Sequence, residues 1–378
     1  MDLFLPTQQT PVLVLFNIIL LLLLYLTLKE ATEPPHMVSL AKYRFALFLC
    51  VVFCIFSFWG ADWFHYLEAF PMLQSGEKGH MEDVYVWIAQ NLSPNYVIFR
   101  LIIWGGAFYL FIKILKDLNI SIDLVLLFFA IFAIIWFSYA RVTLAMCIAY
   151  WGGAIIFRTE KRFITLILGF VLICISTYFH KSAVFVVFIV FLAFLFNMNS
   201  KFAIRITILL FPIIVFYAKL IVSQFMLTDV EGADDIMSEY MAAGQNYMSA
   251  KSAVSGIGAI IARIMERTPY YVIAFIGFRT LISDMYDEIP SNLRSFIIIQ
   301  ILIVVFSSVF LFDLNANTST LYGRFLRFDA IPTVVVMAYL YEIGIYRKLV
   351  NVSIYIAGLG TAYTLLYTLY DRFLNFHL

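Results

Sequence analysis

Apolar runs long enough, or nearly so, to cross about 30 Å of hydrocarbon recur along the 378 residues, and they constrain the fold more than any other feature. They fall at roughly 11–28, 43–60, 97–112, 123–140, 142–157, 163–179, 183–197, 202–224, 269–282, 295–312, 330–345 and 349–370. A backbone inside hydrocarbon has no water to bond and must satisfy its own N–H and C=O groups. The expected class is therefore all-α, a polytopic integral membrane protein of about twelve transmembrane helices. With 63% hydrophobic and 13% charged residues, and a mean hydropathy of +0.93, a water-soluble globular fold is excluded. The net charge of +1 argues against nucleic acid as a partner; the information lies in where the charges fall.

The Lys and Arg residues between runs alternate. Lys29, Lys42 and Arg44 follow the first run, Lys113 and Lys116 the third, Arg158, Lys161 and Arg162 the fifth, and Lys201 and Arg205 the seventh. Arg279 and Arg294 flank the ninth connection, and Arg347 and Lys348 follow the eleventh. The positive-inside bias then places these connections in the cytoplasm and both termini outside. The first run, without a basic residue ahead or a small-residue cleavage site behind, is expected to be retained. Two outer connections are long, 61–96 and 225–268. Within the second, Ile257, Ile260, Ile261 and Ile264 repeat at helical spacing opposite Arg263 and Glu266, which predicts a helix lying in the outer interface. Residues 1–378 form a single transmembrane domain with no internal repeat. Cys50, Cys54, Cys147 and Cys174 lie in apolar runs and carry no disulfide framework.

Once the cytoplasmic charges are set aside, the cations at the outer boundary are Arg100, Arg141, Lys181, Lys219, Arg324 and Arg327. Charge at membrane depth is costly and tends to mark a ligand site. Arg324 and Arg327, three residues apart, share a helix face, and stacked guanidinium forks suit phosphate. Snorkelling to lipid phosphate is the bland alternative, and it is the one favoured for Lys219. Asp62, His65 and Tyr66 share a face of a helical turn. Asp62 is either a general base for a sugar hydroxyl or a helix cap. Trp63, Tyr66, Tyr85, Trp87 and Tyr96 offer stacking faces or simply form an interfacial belt. His180, beside Lys181 in a tight polar turn, is expected to be neutral, able to accept a proton or to donate to phosphate. No metal-ligand or cofactor motif is visible, and none is expected.

Gly60-Ala-Asp-Trp-x-x-Tyr66, Tyr139-Ala-Arg-Val-Thr-Leu-Ala145, Phe179-His-Lys-Ser-Ala183 and Tyr322-Gly-Arg-Phe325 resemble, in order and spacing, the EpsG family of Wzy-like polysaccharide polymerases. The resemblance covers about residues 40 to 345. It implies a bacterial inner-membrane glycosyltransferase of GT-C-like architecture with its active site on the outer side. Such an enzyme joins undecaprenyl-diphosphate-linked oligosaccharides, one as donor and one as acceptor, without nucleotide sugars. Family motifs carry over onto Asp62, Tyr66, Arg141, His180, Lys181, Ser182 and Arg324, whereas His65 and Arg327 come from spacing alone. Trp63 stands where the family usually has Tyr, and Val142 where Gln is common, which weakens any transfer of acceptor specificity.

The two lines combine into one expectation. Arg141 and Arg324, with Arg327, Arg100 and Lys181, would hold the donor diphosphate; Asp62, His65 or His180 would deprotonate the acceptor hydroxyl. Trp63, Tyr66, Ser182 and Tyr322 would contact sugar. Membrane lipid is a partner, and a chain-length regulator, if there is one, leaves no mark in the residues. The rival class is a flippase or transporter of a lipid-linked glycan, which would place charges near the midplane and on both sides. Arg324→Ala is expected to reduce polymer formation by roughly two to three powers of ten, by analogy with the loss of an oxyanion donor. Unchanged polymer yield and length from properly inserted protein would remove Arg324 from the site.

Overall fold

The computed structural model describes residues 61–79, 81–121, 139–158, 163–197, 257–309 and 325–374, with isolated positions between 18 and 29, around 210–217, and at 323. Among these there is no strand. The helices are α1 (Ala61–Ser75), α2 (Asp83–Asn91), α3 (Tyr96–Asp117), α4 (Ala140–Ile156), α5 (Phe163–Phe179), α6 (Ala183–Asn197), α7 (Ile257–Ile282), α8 (Ser291–Val309), α9 (Ala330–Glu342) and α10 (Arg347–Leu374), with a 3-10 turn at Asp284–Asp287. Among the described residues α3 and α8 are long and apolar enough to cross a membrane, and α4, α5, α6 and α9 are shorter apolar helices.

A helix that is apolar on all sides belongs in the interior. Every residue of Thr143–Tyr150, Ser295–Val304 and Ala330–Ala338 is buried, so α4, α8 and α9 form the core. Around them α5 and α6 each keep one buried face, Gly169, Ile173 and Ser176 on α5 and Val186, Ile189, Val190 and Ala193 on α6. Their other faces expose Ile164, Leu168, Val171 and Ile175, and Val184, Phe188, Phe191 and Leu195. Continuous apolar stripes of this kind are costly in water and at rest against acyl chains. The chain is a membrane protein on these grounds, and the stripes mark its lipid-facing side.

The two ends of the bundle differ. At one end Arg158 pairs with Asp117, which also accepts the Trp151 indole N–H at 3.1 Å, so the C-termini of α3 and α4 lie side by side. Arg279 over Tyr346, Arg294 over Tyr286 and Arg347 over Tyr341 cluster where α7, α8, α9 and α10 turn. At the other end lie the N-termini of α3, α4 and α6 and the C-terminus of α8. There Asn95 caps α3 by accepting from Ile98 N–H at 3.0 Å, and Phe185 packs on Phe306 at 4.6 Å. The described basic connections thus sit opposite the candidate site.

Two elements differ from the sequence reading. The first long outer connection is itself helical, α1 and α2 joined by a turn at 76–82. The expected interfacial helix and the ninth span are one helix, α7, which continues through Pro269. Proline removes one backbone donor, but packing along α10 keeps the rod intact: Gly360 lies against the backbone at Ala262 and Glu266, and the Thr364 hydroxyl donates to Glu266. The second span, most of the first, fourth and eighth spans, residues 225–256 and the ends of the chain lie outside the described residues.

Helices α4 and α5 cross in close contact at Gly152 and Gly169. A methyl built on Gly152 would stand 2.6 Å from the Gly169 carbonyl oxygen, and one on Gly169 2.8 Å from that of Gly152. Small residues bring backbones together where lipid supplies no hydrophobic drive. Gly152→Ala should therefore lower stability by about 1–3 kcal/mol through overpacking. Gly105→Ala on α3, where an added methyl meets nothing within 4 Å, should be neutral. Thermal unfolding in detergent checks both.

Candidate functional site

Arg141 occupies the first turn of α4, and three aromatic or acidic side chains from elsewhere converge on it. Its Nε–H donates to the Tyr66 hydroxyl of α1 at 2.7 Å and its Nη1–H to Glu82 at 2.9 Å. The guanidinium carbon lies 5.0 Å from the Tyr66 ring centroid and 5.9 Å from that of Tyr85. With the two side chains only 19% and 13% exposed, the Arg141–Glu82 pair is largely withdrawn from water. Tyr85, on α2, is fully buried. Burial first, then the nearby Glu82 and Tyr66, push its phenol well above the ordinary value; it stays protonated and donates to the Phe179 carbonyl at 2.9 Å. The Tyr85 ring also meets Phe179 edge-on at 6.3 Å.

That bond carries the cluster into the turn between α5 and α6. There the Ser182 backbone N–H donates to His180 Nδ1 at 3.2 Å, and the Ser182 hydroxyl lies against the same nitrogen. A backbone N–H can only donate, so Nδ1 is the unprotonated nitrogen and Nε2 carries the proton of the neutral ring. His180 in this arrangement presents an N–H. Lys181 is exposed beside it.

Arg327 arrives from a third direction. Its guanidinium stacks on Tyr139 at 3.6 Å, and Tyr139 stands two residues before Arg141, at the N-cap of α4. The stretch that carries Arg327 is held rigidly. Phe185 packs on Phe325 at 4.9 Å and on Phe328 at 5.5 Å, and the Tyr150 hydroxyl donates to the Phe328 carbonyl at 2.7 Å. Buried Asp329 accepts from Thr333 at 2.7 Å and from Gln300 at 3.0 Å, while the same Gln300 amide donates to the Tyr270 carbonyl at 2.9 Å. Five helices thus fix the height of one arginine.

The structure brings Tyr66, Arg141, the His180–Ser182 turn and Arg327 to one end of the bundle. Tyr66, 3% exposed, is engaged in holding Arg141 and presents little face to a sugar. Arg100 is 1% exposed, its guanidinium carbon 5.8 Å from the Tyr96 ring centroid. Of the proposed stacking aromatics Tyr85 and Tyr96 are buried and Trp87 is exposed. Asp62, Trp63 and His65 lie on α1 with side chains outside the described residues, as do Arg324 and Tyr322 altogether. Glu82 is the residue that sequence reasoning missed. Charge balance says that a boundary arginine needs a carboxylate, but the 61–96 connection holds five, Asp62, Glu68, Glu77, Glu82 and Asp83, so the sequence could not single out Glu82. Among the described residues no group of three His, Cys, Asp or Glu could hold a metal ion.

Arg141→Met should cost about 3 kcal/mol, the lower end for breaking a buried pair, because Glu82 is left partly desolvated without its partner. Adding Glu82→Leu should recover most of that loss. Thermal unfolding of the two variants tests whether the pair behaves as one unit.

A sequence profile of the EpsG family matches residues 40–377. Neither the curated proteins nor the solved structures contain a match to the chain. Nearly the whole chain lies within the match, and the Tyr66, Arg141 and His180–Ser182 positions, drawn from separate motifs, meet at one end of an apolar helical bundle. This protein belongs to the EpsG family.

Proposed function

We propose that the chain is a membrane polysaccharide polymerase that joins oligosaccharide repeat units carried on undecaprenyl diphosphate, at the outer face of the bacterial inner membrane. Membership of the EpsG family supports a polysaccharide-polymerase role of glycosyltransferase type. The observation that carries the finer reading is the meeting of Arg141, Arg327 and the His180–Ser182 turn at the end of the bundle opposite the basic connections.

The reaction follows from those groups. The acceptor hydroxyl oxygen attacks the anomeric carbon of the donor, the carbon–oxygen bond to the diphosphate breaks, and undecaprenyl diphosphate leaves. Negative charge grows on the leaving group, and prepositioned guanidinium forks stabilise it in a weakly solvated site. Arg327 and the neighbouring Arg324 are assigned to that role, and the His180 Nε2–H and Lys181 supply further donors. Arg141, already compensated by Glu82, sets the framework and keeps the Nη2 end of its fork for the ligand. The hydroxyl proton goes to a carboxylate or imidazole on α1, Asp62 or His65. With Nδ1 occupied by Ser182, His180 is better suited to donating than to accepting. Guanidinium charge takes the part a metal plays in nucleotide-sugar enzymes, so no metal is invoked.

Purified protein in lipid, given one undecaprenyl-diphosphate-linked repeat unit and no nucleotide sugar, ATP or added metal ion, should produce a ladder rising by one repeat, with free undecaprenyl diphosphate released. Movement of the lipid-linked glycan between leaflets without a ladder would instead establish the transporter reading.

A further inference from the structure

The last carbonyls of an α-helix have no amide of their own helix to accept from. α5 ends at Phe179, and the His180 N–H still bonds back to the Ser176 carbonyl at 3.2 Å, so the Phe179 carbonyl is one of these. It accepts the Tyr85 hydroxyl at 2.9 Å. That carbonyl belongs to the peptide joining Phe179 to His180, so the bond from α2 fixes the orientation of the unit from which the imidazole hangs. On the other side the turn closes on itself. The N–H groups of Ala183, Val184 and Phe185, opening α6, donate to the carbonyls of His180, Lys181 and Ser182 at 2.9, 3.2 and 3.1 Å. The α5 side is held instead by a side chain 94 residues away in sequence.

Tyr85 is itself fixed. Its ring is fully buried, edge-on to Phe179 at 6.3 Å and to Phe99 of α3 at 6.4 Å. Glu82, three residues earlier, holds Arg141, whose guanidinium carbon lies 5.9 Å from the same Tyr85 ring. One turn of chain at the start of α2 therefore touches the arginine and the histidine peptide together. Packing alone would be served by phenylalanine; the hydroxyl adds a single directed bond. We propose that Tyr85 is a positioning residue for His180: its hydroxyl holds the turn in the form in which the Ser182 N–H occupies Nδ1, which keeps the ring proton on Nε2. The use of that proton as a donor to the leaving diphosphate rests on the polymerase reading; the tautomer does not.

The test is the nitrogen-15 spectrum of the histidine-labelled full chain in lipid nanodiscs at about pH 8, where an ordinary imidazole is neutral. His180→Ala identifies the His180 signals. The wild-type chain shows the Nε2–H tautomer, and Tyr85→Phe, which removes one hydroxyl and keeps the ring, shifts His180 to a mixture of tautomers. With the undecaprenyl-diphosphate-linked repeat unit as substrate, Tyr85→Phe lowers kcat about ten-fold, the scale of one hydrogen bond. KM stays nearly unchanged, because a donor to the leaving group acts in the transition state. In the His180→Ala background Tyr85→Phe costs nothing further, since it acts through that residue. A wild-type His180 protonated on Nδ1 overturns the proposal without any variant. So does an unchanged tautomer in Tyr85→Phe, or an equal loss of kcat with and without His180, the outcome of a purely structural role. A tautomer shift in a chain whose wild type makes no ladder keeps the positioning role and overturns the polymerase reading.

Discussion

A cation at a membrane boundary must be compensated, and the compensation of Arg141 organises the site end of this protein. Removing a guanidinium from water costs several kcal/mol unless hydrogen bonds and an opposite charge replace the lost hydration. Arg141 finds a hydroxyl on α1, a carboxylate just before α2 and two aromatic faces. Two short helices, neither of them able to span a bilayer, are thereby tied to the core helix α4. The buried Tyr85 phenol extends the same network to the turn that carries His180.

Beneath this polar end the structure obeys the rules of lipid rather than water. Apolar stripes face outward, small residues let backbones touch where Gly152 meets Gly169, and the interior carries a few polar groups that are bonded to one another. The knot of Gln300, Asp329, Thr333 and the Tyr270 carbonyl is the clearest case. It joins α7, α8 and the start of α9 directly below the stretch bearing Arg327, while Tyr150 reaches the same stretch from α4. A cation held by rigid elements keeps a fixed place, the condition under which electrostatic interactions with a ligand gain their strength.

Function and stability make different demands on the arginines. Arg100 is buried on α3, with the Tyr96 ring against it. Arg141, paired with Glu82, holds the frame. Arg327 rests on the ring face of Tyr139, at the N-cap of α4. A reading that treated every outer arginine as equivalent could not separate these roles, because pairing depends on partners far away in the chain: Glu82 is 59 residues from Arg141 and Tyr66 is 75.

By itself the amino-acid sequence determined the helical class, since apolar runs of membrane length admit only a backbone that bonds to itself. It also pointed to the motif positions Tyr66, Arg141, His180 and Ser182, because polar residues bounding apolar helices stand out against their neighbours. Tertiary structure alone decided which of them meet, which arginine is neutralised and by which acid, and that α7 runs through Pro269 on the support of α10. Those outcomes turn on distances between residues remote in sequence. The depth of Arg100 and the partner of Arg141 are set by how helices cross, and a linear pattern carries the periodicity of each helix but not the angle and height at which it meets the next.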